Sequence, residues 1–376
     1  MGGYLKGERG ALVAARDPTR IWDRGFGDWM RSQVLPPIAL RGGESVKKRA
    51  VLIGPSFFGY ENDIVDELER SGFVCNFFDE RPSNRGLVRA GLRLARVLGR
   101  TVRLRAHESF LKHPDASGAD LVLFLKCEHI GEDFGRAMRL QNPEARIVFY
   151  AFDPISRSAP WIASDRSVMD VKYSFDPNDV EVYEDLRYLP LFYGRSYSGD
   201  MQWEARHYDV CFIGTLHSGR YAFVEHVVRN LDASFRYYFS PARWDYLLRK
   251  QSSAYRGVPM DQVRFRPLSR EDTARALGSS RVVLDLPRPE QTGLTMRTFE
   301  ALSSGCAVVT TNMRARKLLP EIPESLLRVV SPDDPDGAAK AVESILGESV
   351  EEDREVARRA MARYSLEEWC RRVSDS

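Results

Sequence analysis

Short apolar runs alternate along the chain with segments whose apolar residues return every three or four positions. AVLIG at 50–54, FVCNFFDE at 73–80, LVLFLKCEH at 121–129 and ARIVFYAFDP at 145–154 read as strands, the last two ending in polar residues. Between the first two, ENDIVDELERSG at 61–72 has helical spacing and stops at Gly72. Strand, helix and strand in that order predict a parallel α/β domain. DVKYSFDPNDVEVYED at 170–185 adds a short strand and a capped helix, and LRYLPLFYGRSYSGD at 186–200, with Pro190, Gly194 and Gly199, reads as an interdomain crossing.

The same logic then starts again. YDVCFI at 208–213 is a strand, the loop from Gly214 to Arg220 is glycine-bearing, and a helix follows. SFRYYFSP, a helix WDYLLRKQSS, the strand QVRFRPL and a helix REDTARALGSS lead into RVVLDLPRPEQTGLTMRTFEALSSGCAVVTTN at 281–312. That last stretch reads as strand, turn-rich loop, helix over 294–304, a stop at Gly305, and strand. RVVS at 328–331 is a final strand, and EEDREVARRAMARYSLEEWCRRV at 351–373 one charged amphipathic helix. The expected organisation is an arm over 1–48, an α/β domain over 49–190, a crossing over 191–207, a second α/β domain over 208–350, and a terminal segment over 351–376 that returns toward the first domain.

Length and composition narrow the class. A chain of 376 residues suits two domains, and 43% apolar with 29% charged residues describes a globular protein. No apolar run approaches the roughly 20 residues that span a bilayer. The N-terminal stretch lacks the apolar core of a secretory signal. Cys75, Cys127, Cys211, Cys306 and Cys370 are scattered without metal-type pairing, which fits reduced thiols and a cytoplasmic location. Net charge is only +2, yet residues 1–113 hold 20 Lys and Arg against 13 Asp and Glu. Much of that excess is an arginine stripe within 84–106: Arg85, Arg89, Arg93, Arg96, Arg100 and Arg103 recur at helical spacing. Two readings stay open for it, contact with an anionic membrane surface on the inner face and a solvated face of a packed helix. No nucleic-acid module accompanies it, so nucleic acid is not an expected partner.

Candidate chemistry gathers where strands end, because ligands of parallel sheets lie outside the carboxyl ends. A helix entered through 291–293 would aim free N–H groups at an anion, and Gly293 has no side chain to keep a ligand away. Arg297 and Glu300, three apart, share a helix face; they suit a diphosphate and a ribose, or simply pair with each other. Gly214 and Arg220 offer a second phosphate grip. Asp153 and His129 follow first-domain strands and are candidates to accept a hydroxyl proton, with turn-capping the alternative for Asp153. Gly54 and Gly59 are too far apart for a dinucleotide fingerprint and serve either a tight turn or a ligand-facing loop. Asp334 and Asp336 read as turn chemistry rather than a metal clamp.

QTGLTMRTFEALSSGCAVVTTN at 291–312 resembles the donor-site segment of GT-B glycosyltransferases of bacterial polysaccharide and lipopolysaccharide biosynthesis. The resemblance covers about residues 49–370 and implies two doubly wound, Rossmann-like α/β domains facing a cleft. It implies transfer of a sugar from a nucleoside-diphosphate sugar to a hydroxyl of a glycan or lipid-linked acceptor. Glu300, before Ala301 and Gly305, would hold the donor ribose, and Arg297 and Arg220 the diphosphate, with the amides near Thr292 and Gly293. Ser269, with Pro267 and Leu268, would lie by the base; the loop with Gly54 and Gly59 would face the acceptor. Preorganised cations would favour the leaving diphosphate, so no cofactor and no divalent ion are expected. Thr292 stands where the retaining branch has a Glu, and Glu290 is out of register. A nucleotide-sugar epimerase and a non-catalytic glycan-binding or coat-type protein with a relict pocket are the rivals.

Overall fold

A computed structural model describes residues 47–375, except 57, 82–106, 156–159, 200, 218, 253, 254 and 256. The arginine stripe and nearly all of the N-terminal arm therefore lie outside the described residues. Ser45–Ser376 form one compact unit.

That unit contains two parallel six-stranded sheets. The first has the order β2-β1-β3-β4-β5-β6, from β1 (Lys48–Gly54) and β2 (Phe73–Asp79) through β3 (Leu121–Leu125), β4 (Arg146–Ala151) and β5 (Val171–Ser174) to β6 (Leu186–Tyr188). The second has the order β12-β11-β10-β7-β8-β9, with β7 (Tyr208–Thr215), β8 (Ser234–Phe239), β9 (Val263–Arg264), β10 (Ser280–Asp285), β11 (Ala307–Thr310) and β12 (Leu327–Val329). Strands covered on both faces carry near-continuous apolar runs, and all five residues of β3 are buried. This is the α/β, doubly wound arrangement with two lobes.

Each sheet reverses its winding once, between β1 and β3 in the first lobe and between β7 and β10 in the second. Such switch points leave a crevice above the strand ends. The first crevice is tight, since a side-chain carbon at Gly54 would meet the carbonyl oxygen of Leu125 at 2.4 Å. Only glycine fits there. The second is spanned by Arg220, which donates from Nη1 to Thr215 O at 3.1 Å, at the end of β7, and from Nη2 to Leu286 O, just after β10.

The terminal segment is two helices, Glu351–Met361 and Leu366–Asp375, and not the single helix its periodicity predicts. The break is explained by what Ser365 does: it pairs with Tyr193 in an isolated bridge, and its hydroxyl accepts the amide of Glu368 at 3.2 Å. Trp369 then packs edge-on against Tyr150, with ring centres 4.8 Å apart, and against Phe192 at 5.0 Å. The last helix thus completes the core of the first lobe.

Candidate functional site

The helix after β10 starts later than its sequence suggests. It runs Met296–Ser303, and Thr295 is its cap, its hydroxyl accepting the Thr298 amide at 3.3 Å. Gln291, Thr292 and Gly293 are loop, not first turn. The reason is tertiary. Thr292 gives both its amide, at 3.0 Å, and its hydroxyl to the carboxylate of Asp176 in the first lobe. A side-chain carbon at Gly293 would lie 2.6 Å from Phe175 O and 2.7 Å from the Phe175 ring. The close approach that Gly293 permits is therefore made by the first lobe, and the Thr292 amide expected to face an anion holds a carboxylate of the protein itself.

Arg297 and Glu300 do meet. Arg297 Nη1 donates to Glu300 Oε2 at 2.7 Å, and Tyr60 Oη, at the start of the first helix of the first lobe, donates to Glu300 Oε1 at 2.8 Å. Glu300 is fully buried and has a partner on each oxygen. Burial opposes the charge on Arg297, but the carboxylate beside it more than compensates and holds the guanidinium above its ordinary value. Burial, then the neighbouring Glu300, pushes the Tyr60 phenol well up, and Tyr197 is pushed the same way by the same causes. One Arg297 nitrogen, Nε, is buried without a partner among the described residues.

Arg220 is the second cation of the site. Burial first, and Arg288 after it, bring its pKa down to about 10, while Asp285 opposes the shift. Both terminal nitrogens are on backbone carbonyls, so the guanidinium that the sequence offers as a phosphate grip is here a brace across the switch point; its Nε is buried without a partner among the described residues. Asp285 ends β10 and accepts hydroxyls from Thr295 at 2.8 Å and Thr298 at 2.6 Å. Burial raises its carboxyl, and the two hydroxyls hold the rise back.

Two cavities flank Arg220. One, of about 290 Å³, is lined from the first lobe by Phe58 and Tyr60 and from the second by Gly214, Tyr237, Phe239, Pro267, Leu268, Asp285 and Arg297, among others. The other, of about 680 Å³, lies over the ends of β7, β10, β11 and β12 and is lined by Arg288, Thr292 and Arg314, among others. Arg220 borders both. A side-chain carbon at Gly214 would meet the Phe212 ring at 2.7 Å, which accounts for that glycine without a ligand.

The remaining candidates are dispersed. Ser269 caps the helix Arg270–Gly278, accepting the Asp272 amide at 3.0 Å; its neighbours Pro267 and Leu268 line the smaller cavity and it does not. Gly59 has a left-handed φ of 81° and accepts Arg270 Nη1 on its carbonyl at 3.1 Å, while Arg270 also pairs with Asp63. The first-lobe loop is thus closed onto the second lobe, which leaves Gly59 facing Arg270. Asp153 pairs with Lys126 at 2.6 Å, and neither it nor His129 lines either cavity.

What holds His129 is a residue that sequence reasoning missed. Glu80 is fully buried and accepts the amides of Glu128 at 2.9 Å and His129 at 2.8 Å, which fixes a turn where Lys126 and Cys127 have positive φ of 66° and 49°. Burial raises its carboxyl to about 7, against the pull of those two amides. Tyr60, Tyr197, Asp285 and Asp176 were missed as well. For Asp285 a signal was available, since an acid ending an apolar run marks a strand's carboxyl end.

Residues 220–375 match the family model described as glycosyl transferase-like. No curated protein matches the sequence significantly. Among solved structures, AviGT4, a glycosyltransferase involved in avilamycin A biosynthesis, aligns with a TM-score of 0.54 at 13% identity over 86% of this chain and 95% of that chain. HepE from Anabaena, in complex with UDP-glucose, aligns at 0.56 and 10% identity over 87% and 98%. A UDP-N-acetylglucosamine 2-epimerase assignment from Listeria monocytogenes aligns at 0.51 and 13% over 87% and 95%. At these identities the likeness establishes the fold alone. The chain has the two-lobed fold of the GT-B glycosyltransferases, and its residues 220–375 match the glycosyl transferase-like family model.

Proposed function

We propose that the smaller cavity receives a nucleoside-diphosphate sugar and that the protein transfers its glycosyl group, a hexosyl or related sugar, to a hydroxyl of a glycan or lipid-linked acceptor. The observation that carries this reading is the pair Arg297 and Glu300, buried at the β10 side of a cavity that both lobes line. Pro267, Leu268, Tyr237 and Phe239 supply the flat apolar surface that suits a base, Glu300 the acceptor for ribose hydroxyls, and Arg297 with Arg220 the positive field for the diphosphate.

In the transfer, the acceptor oxygen forms a bond to the anomeric carbon while the bond from that carbon to the phosphate oxygen breaks. The electron pair leaves on the diphosphate, where the two guanidinium groups stabilise it. The acceptor proton passes to a base. Asp153 and His129 are the first-lobe candidates for that role, reached once the lobes separate. HepE, printed in complex with UDP-glucose, supports a nucleotide sugar as the donor class. Five buried, free cysteines support a reducing compartment such as the cytoplasm; attachment to the inner face of its membrane is part of the same proposal.

Calorimetric titration with a panel of nucleoside diphosphates and their sugars tests the donor, and mass spectrometry of incubations with and without acceptor sugars tests the reaction. Binding of at least one donor and a mass gain on an acceptor are expected. Conversion of donor alone to an isomer would assign an epimerase instead, and a panel with no binder would remove the enzymatic reading.

A further inference from the structure

The helix Arg243–Arg249, which follows β8, packs with its polar side in and its apolar side out. Trp244, Leu247 and Leu248 stand at i, i+3 and i+4, one face of one turn, and are 49%, 59% and 77% exposed. The buried residues are Asp245 and Tyr246. Tyr246 donates to Val258 O at 2.7 Å and packs on the rings of Tyr255 and Phe265. Single exposed apolar residues are ordinary on a protein surface, but three large ones on one helical face are not.

The surroundings of that face say what covers it. Basic residues bracket it: Arg243 on one side, Arg249 and Lys250 on the other, all exposed. The one acid within 243–250, Asp245, is buried and paired with Arg249 at 3.0 Å, so the exposed charge is positive. A Trp and two Leu between cations match the headgroup boundary of an anionic bilayer, where indole and aliphatic carbon enter the acyl edge and the cations stay among phosphates. The helix also leaves the strand whose last residue, Phe239, lines the smaller cavity. From these observations we infer that the 243–249 helix is a docking face for anionic membrane surfaces. This inference uses a different element from the arginine stripe of residues 84–106 and does not depend on the proposed reaction.

The test is flotation of the full chain with vesicles of phosphatidylcholine alone and with about 30% phosphatidylglycerol, a content chosen to give a strongly anionic surface. Four proteins are compared: the wild type, the triple variant Trp244→Ser, Leu247→Ser, Leu248→Ser, a stripe variant Arg89→Glu, Arg93→Glu, Arg96→Glu, and the two sets combined. The wild type is expected to float with the anionic vesicles and far less with the neutral ones. The triple variant should lose about tenfold or more in partitioning, with an unchanged melting temperature because the three side chains face solvent. The stripe variant should still respond to the triple substitution when the two are combined. A triple variant that floats like the wild type overturns the inference, as does a wild type that stays with the pellet. So does a wild-type dimer, seen by light scattering, that the triple variant converts to monomer, since the face would then be a contact between copies.

Discussion

On the proposed donor reading, Tyr60 stands where a ribose hydroxyl would, and Tyr60→Phe tests that competition. The phenol donates to Glu300 Oε1 at 2.8 Å while Arg297 holds Oε2 at 2.7 Å, and the carboxylate has no exposed surface. A ribose can therefore reach Glu300 only by replacing Tyr60, and the lobes must part as it does. A hydrogen bond to a charged group contributes about 1.5–3 kcal/mol, and about 1.4 kcal/mol is tenfold in a binding constant. Removing the Oη atom should cost the free protein about that much stability. The same loss lifts the competition, so the affinity for the nucleoside diphosphate should rise by about tenfold. Calorimetry gives the affinity, and thermal melting with and without ligand gives the stability. The signs must differ: lower melting temperature without ligand, tighter binding with it. If Tyr60→Phe binds nucleotide no more tightly than the wild type, while the wild type does bind, Tyr60 is not in competition with the ligand and Glu300 is reached, if at all, by another route.

Arg297→Ala should be worse than Glu300 and Arg297 removed together, because it leaves a buried carboxylate without its cation; about 3–5 kcal/mol of stability is expected to go, read by urea unfolding of both variants. Gly293→Ala inserts a carbon 2.6 Å from Phe175 O and should destabilise the contact between the lobes by about 1–3 kcal/mol, visible as a lower melting temperature. Glu80 gives a pH signature. Its carboxyl is raised in the folded state from 4.5 to about 7, so between those values the folded protein holds more protons than the unfolded one, and stability falls as pH rises through that window. The loss is of the order of 3 kcal/mol, and Glu80→Gln should flatten the curve between pH 5 and 7 by about that amount relative to the wild type. A parallel pair of curves would refute the assignment.

Much of the fold was legible because its strands are buried on both faces and its helices are not. The apolar runs at 50–54, 121–125 and 282–286 appear as β1, β3 and β10 within a residue or two, since little but a covered strand accommodates such runs between glycine-bearing loops. Sequence was less informative wherever a residue's partner is far along the chain. Nothing local tells that Thr292 is claimed by Asp176, so the helix start was read about two residues early, and nothing local tells that Ser365 pairs with Tyr193 and breaks the terminal helix. Glycines misled for a related reason. Gly54, Gly214 and Gly293 each admit a close approach, but the approaching atoms belong to Leu125, Phe212 and Phe175 of the protein, and a glycine carries no mark of whether its neighbour is ligand or chain.

Charge shows the same limit from the other side. Arg220 and Arg297, the proposed diphosphate cations, are each close to a buried acid: Glu300 in contact with Arg297, Asp285 within electrostatic reach of Arg220. Two partly buried guanidinium groups lining one cavity would be costly alone, and the acids make the unliganded state tolerable. The cavity is thus a balanced set of charges, not a reservoir of free positive charge. On the proposed donor reading, a ligand diphosphate would gain there by exchanging partners: it would offer Arg297 and Arg220 better acceptors than a carboxylate and two carbonyls, and its ribose would offer Glu300 the hydroxyl that Tyr60 supplies meanwhile. Selectivity follows from that exchange. An anion lacking the ribose would leave Glu300 buried and uncompensated once the lobes part, whereas a whole nucleoside diphosphate satisfies both members of the Arg297 and Glu300 pair at once.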